Sequence, residues 1–192
     1  MLDNPYVSTS AILVIKTLFG VYIFAVMLRL LLQWVRADFY NPLSQFLVKV
    51  TNPPLRPLRR FIPGWGGIDL ASVVLLIVLQ MLELFLISLA VGHSPSPAGM
   101  FVGACAALLG LLLDIWFYGI LIQVILSWVN PGTYHPATAL LYRINEPVLA
   151  PARRIIPAIS GIDLSPMLVM LVLQLLKILV VAPLADMAGA LP

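Results

Sequence analysis

PLRPLRRFIPGWGGIDL, residues Pro54–Leu70, stands between two apolar runs and returns as VLAPARRIIPAISGIDL, Val148–Leu164. Each copy joins an arginine pair to a Gly-Ile-Asp-Leu tetrad and then opens a new oily run. Shifting the chain by 94 positions lays Arg29–Leu82 on Gln123–Leu176 without a gap, with about 20 of 54 positions identical. Such self-similarity marks an internal repeat. Trp34 falls on Trp128, Pro42 on Pro136, Pro57 on Pro151, Arg59-Arg60 on Arg153-Arg154 and Asp69 on Asp163.

Around this repeated stretch the composition is that of a membrane protein. Of 192 residues 61% are hydrophobic and only 10% charged, far from the balance of a soluble domain. Four runs, about 11–34, 70–91, 100–129 and 164–184, each reach the roughly 20 residues needed to cross about 30 Å of hydrocarbon. The first run exceeds the roughly 7–15 residues of a signal-peptide core and follows Asp3 rather than basic residues, so it is expected to stay attached. The single cysteine, Cys105, excludes an intrachain disulfide. The fold class read from these runs is an all-α membrane protein with four transmembrane helices arranged as two hairpins, residues 1–94 and 95–192.

Charge asymmetry orients the hairpins. Arg36, Lys49, Arg56, Arg59 and Arg60 lie between the first two runs and Arg143, Arg153 and Arg154 between the last two, while the loop His93–Gly99 and both termini carry no Lys or Arg. Positive residues stay inside, which places these connectors in the cytoplasm and the termini in the periplasm, across the inner membrane of a Gram-negative cell. Both hairpins then insert the same way up, as a parallel repeat about an axis along the membrane normal. The expected partners are a bilayer with anionic head groups, each basic residue near it contributing about 1 kcal/mol, and a membrane-protein partner or a homo-oligomer. Nucleic acid is not expected, because no basic tract or aromatic platform is present.

Each connector carries its own order. Leu43, Phe46, Leu47 and Val50, and again Ala137, Leu140, Leu141 and Ile144, follow the spacing that gives a helix one apolar stripe. Pro42 and Pro136 suit the first turn, where a missing N–H is not needed. A short amphipathic helix lying on the cytoplasmic interface is expected in each connector. Pro53, Pro54, Pro57 and Pro63, like Pro147, Pro151 and Pro157, are expected to end it in extended or turning chain.

Asp69 and Asp163 stand where a new span begins, so each carboxylate is read as a cap for the first turn and, more sharply, as also engaging a nearby arginine in a bidentate pair; the two roles can hold together. Arg59, Arg60, Arg153 and Arg154 read as head-group anchors or as a docking surface. Two copies of this pattern, Pro42–Leu82 and Pro136–Leu176, resemble the bacterial YggT family, whose relatives include the YlmG proteins. The resemblance covers nearly the whole chain. It implies a small integral membrane protein linked to cell division, to osmotic or ion stress or, in plastids, to nucleoid distribution and b-type cytochrome maturation. The second copy departs from the first with Glu146 for Asn52 and Ala150 for Arg56, so the two halves need not share a partner.

Lys16, Glu83, Asp114 and Lys177 lie inside the runs, and Arg29 lies near a cytoplasmic end, from which it can snorkel to water. Glu83 and Lys177 are each 14 residues past their GIDL aspartate, and Asp114 is 14 before Trp128, so at 1.5 Å per residue all three share a depth of about 21 Å. Being repeat-equivalent, Glu83 and Lys177 are expected to pair, with Asp114 joining them. The cluster reads either as a structural ion pair or as an ion path. Gln80 and Gln174 are candidates for interhelical hydrogen bonds. No nucleophile, phosphate loop, metal-ligand set or cofactor motif is present, so a non-enzymatic role is expected: organising membrane partners in envelope growth, cell division or osmotic stress, or alternatively acting as a small channel or accessory to ion uptake.

Overall fold

The computed structural model describes residues 5–92, 96–129, 135–156 and 163–191. The readings made above on Asp3, His93, Pro157 and the Gly161-Ile162 of the second tetrad lie outside them. Among the described residues all extended secondary structure is helical, in chain order α1 (Pro5–Trp34), α2 (Pro42–Phe61), α3 (Leu70–Val91), α4 (Pro97–Val129), α5 (Pro136–Ile155), α6 (Ser165–Leu176), a π-helical turn (Lys177–Val181) and α7 (Ala182–Ala190). From α6 to α7 the chain runs on as one apolar rod, Ser165–Ala190. The π turn stands just ahead of Pro183, which cannot donate to the carbonyl of Leu179, and Ala182 N–H reaches back to Lys177 O instead.

Four helices, α1, α3, α4 and the α6–α7 rod, are long and apolar enough to cross a membrane. The chain is a multi-pass membrane protein. Little of these helices is buried within the protein; Leu13 and Leu18 of α1 are 65% and 66% exposed, surface that acyl chains solvate as well as other leucines do. The helices pack in a row: α1 on α3, α3 on α4, and α4 on the α6–α7 rod. Gly99 and Gly103 allow the last approach, for a Cβ on Gly99 would lie 2.8 Å from the Ala188 carbonyl oxygen.

The connectors are helical further than their prolines predict. α2 runs through Pro53, Pro54 and Pro57 to Phe61, and α5 through Pro147 and Pro151 to Ile155. A proline strands the carbonyl four residues earlier, but Pro53, Pro57 and Pro151 lie on exposed faces, so those carbonyls point outward and need no partner from the protein. Val50 O, stranded by Pro54, receives a long hydrogen bond from the Tyr22 hydroxyl at 3.5 Å. At the repeat-equivalent place Trp116 Nε1 donates to Ile144 O at 3.1 Å. Both connector helices start at their proline, capped by Asn41 Oδ1 accepting from Leu43 N and by His135 Nδ1 accepting from Ala137 N.

Two cores hold the rods to the connectors. One centres on Ile23, Val26, Leu55, Leu75 and Leu76 and extends to Leu140 and Ile144 of α5; the other holds Ile120, Leu149, Val169 and Leu173. Val26, Leu55, Ile120 and Leu149 are each fully buried, and the last two are the repeat partners of the first two.

Candidate functional site

Past α2 the chain reverses through Trp65–Ile68, whose backbone groups exchange two hydrogen bonds at 3.1 and 3.0 Å. Gly66 and Gly67 take φ of +61° and +84°, the left-handed pair that a tight two-residue reversal requires and that glycine adopts without strain. The turn delivers Asp69 back to the end of α2. Arg59 Nε donates to Asp69 Oδ2 at 3.2 Å, with a second bond from its Nη2, and Ser72 Oγ donates to the same oxygen at 2.6 Å. Asp69 is 4% exposed. Its side chain does not cap α3, so of the two roles read from the sequence it takes the ion pair.

Arg29 lies beside this pair, and it does not snorkel. It is 4% exposed, because α2 lies across it, and its Nη1 donates to Thr51 Oγ1 at 2.7 Å. Its Nε has no hydrogen-bond partner.

The second copy rebuilds the same frame with different charges. Arg153 Nε donates to Asp163 Oδ2 at 3.1 Å and its Nη1 to Glu146 Oε2 at 3.2 Å. Asp163 takes both roles, since its Oδ1 also accepts from Ser165 N at 2.9 Å and Ser165 Oγ at 2.6 Å. Gln123 replaces Arg29, and its Oε1 accepts from Asn145 Nδ2 at 2.8 Å, the counterpart of the Arg29–Thr51 bond. The first module thus has two cations, Arg29 and Arg59, against one carboxylate; the second has one cation against two, Asp163 and Glu146. These polar pairs under the connector helices were not foreseen, although the 94-residue shift already lays Arg29 on Gln123 and Thr51 on Asn145.

Burial pushes the Asp69 carboxyl up, but hydrogen bonds from Arg59 and Ser72 and the charges of Arg59 and Arg29 outweigh it and hold the group below its ordinary value. Asp163 is lowered in the same way, with burial opposed by Ser165 and Arg153. A carboxylate whose folded pKa is depressed contributes stability that is complete above its unfolded pKa and is lost as pH falls through the folded one. Thermal midpoints of the purified protein are therefore expected to hold level down to the ordinary carboxylate value of 3.8 and to fall below it. Asp69→Asn is expected to flatten that dependence; an unchanged slope would remove Asp69 as its source.

Arg60 and Arg154 follow their paired neighbours, and both are exposed with no ion pair among the described residues. The two connectors touch: Asn41 Nδ2 donates to Pro136 O at 2.8 Å, which brings α2 and α5 together at one end of the bundle.

At mid-span the expected Glu83–Lys177 pair does not form. α4 packs between α3 and the α6–α7 rod, so Lys177 Nζ meets Asp114 Oδ1 at 2.6 Å. Glu83 is buried on α3 and accepts from Gln80 Nε2 at 2.8 Å, a bond within one helix rather than between two. Lys16 is exposed on α1.

The chain matches the CCB3/YggT family twice, over residues 8–90 and 102–184. It belongs to that family. This YggT-family chain is 46% identical to an uncharacterized Pseudomonas aeruginosa protein over 184 residues, covering 95% of this chain and 93% of the relative. It is 37% identical to the uncharacterized protein YggT of Escherichia coli K12 over 163 residues, covering 85% of each. A Vibrio alginolyticus relative is 46% identical over 163 residues, with 83% of this chain and 87% of the relative covered. No solved structure matches the YggT-family chain.

Proposed function

We propose that this YggT-family chain is a non-enzymatic protein of the inner membrane that gathers membrane partners in envelope growth, cell division or osmotic stress. Its two hairpins insert in parallel, with α2 and α5 flat on the cytoplasmic interface and the termini in the periplasm, as the distribution of Lys and Arg favours. The observation that carries the reading is the division of labour within each arginine pair. Arg59 and Arg153 are held by Asp69 and Asp163, and this fixes the ends of α2 and α5 so that Arg60 and Arg154 stand exposed beside anionic head groups or an acidic partner.

The test is affinity capture from solubilised membranes with Arg60→Glu and Arg154→Glu. Each change is expected to weaken capture by about fivefold or more without altering the fold, and capture indifferent to both would end the reading. The rival reading, a channel or an accessory to ion uptake, draws on Asp114, Glu83 and Lys177; ion flux in reconstituted vesicles that Asp114→Asn abolishes would establish it instead. The Asp114–Lys177 bond supports a structural role for those charges.

A further inference from the structure

The two halves differ most where the Arg–Asp pairs meet the bilayer. In the second half Arg153 and Asp163 line a cleft of about 760 Å³ with an apolar floor that includes Val124, Leu149 and Met170. Trp128 and Met167, 82% and 67% exposed, border its opening. In the first half the matching groove beside Trp34 and Leu76 is smaller, about 460 Å³, and is walled by Leu112 and Trp116 of α4. Asp69 is sealed away from that groove at 4% exposed, whereas Asp163 is 37% exposed. Among the described residues no helix plays for the second half the part that α4 plays for the first.

We propose that this larger cleft binds a zwitterionic, amine-bearing phospholipid. Trp128 ends α4 and Asp163 precedes α6, so the polar rim lies at the depth of a head group and the apolar floor at the depth of an acyl chain. Arg153 donates to the phosphate and Asp163 accepts from the ammonium, while Glu146, bonded to Arg153 beside the lining, adds a second carboxylate for the amine. Charge selects the class. Arg153 and the two carboxylates bonded to it carry −1 together, which disfavours a purely anionic head group and suits one that carries both signs. An apolar helix from a second copy would cover the floor but leave these three charges facing hydrocarbon, which is costly.

The full-length protein, incubated in mixed micelles with equimolar phosphatidylethanolamine and phosphatidylglycerol, is examined by native mass spectrometry. One phosphatidylethanolamine per chain is expected, preferred over phosphatidylglycerol by about fivefold or more and also over phosphatidylcholine, whose methylated amine donates no hydrogen bond. Glu146→Asn with Gln123→Arg installs the first copy's residues and moves the rim from −1 to +1, so the preference is expected to turn toward phosphatidylglycerol. Equal retention of all three lipids, a preference that the double change leaves intact, or a lipid-free dimer each overturns the proposal. Should the double variant not fold, the wild-type selectivity decides. The inference is independent of partner capture: a chain that captures no protein is still expected to hold the lipid.

Discussion

Asp69→Asn is expected to destabilise the protein by about 3–5 kcal/mol, while Asp163→Asn costs under about 1 kcal/mol. The two aspartates have the same neighbours in sequence, GIDL in both copies, and a prediction from sequence alone would treat them alike. Among the described residues Asp69 is the sole carboxylate paired with Arg59 beside Arg29, and both it and Arg29 are 4% exposed. Removing its charge leaves two guanidinium groups close together, one of them buried with an Nε that already lacks a partner. Breaking one side of a buried ion pair strands the other side without water. Asp163 is 37% exposed and Arg153 retains Glu146, so solvent and a second carboxylate absorb the loss. Thermal unfolding of the two purified variants in one detergent checks this. Equal losses would mean that the difference in burial does not govern the two sites.

Lys177→Met is the second large effect. Its amine is bonded to Asp114 within the membrane-spanning rods, and an ionised carboxylate left alone at the centre of a span costs about 2.5–3.5 kcal/mol on insertion scales. The single change is expected to lower membrane insertion and thermal stability by that order. Adding Asp114→Asn is expected to restore most of the loss, and adding Glu83→Gln none of it, because Glu83 is bonded to Gln80 on its own helix. The double-variant comparison isolates the pairwise coupling. Rescue by Glu83→Gln rather than Asp114→Asn would return Lys177 to the partner that repeat equivalence proposed.

That last contrast shows how far the sequence could be read. An Arg–Asp contact in each copy was legible because the arginines and the carboxylate are local, on either side of one turn, and repeated at one spacing; which arginine of each pair makes it was settled by the fold. Arg29 was not, because snorkelling is a rule about one helix end and the helix that covers this one arrives 22 residues later. The prolines misled for a similar reason. Their effect on a helix is computed from its own backbone, whereas here exposed faces and the Tyr22 hydroxyl take up what the missing donors leave.

By itself the amino-acid order determined the apolar rods, the repeat, the family and the place of each charge along its own rod, since length, hydropathy and period are properties of a line. Which charge meets which was decided only in three dimensions. Helical rise sets height along a rod but not the neighbour on its flank; the row α1, α3, α4, α6 puts Asp114 beside Lys177, and packing at the connectors buries Asp69 while leaving Asp163 exposed.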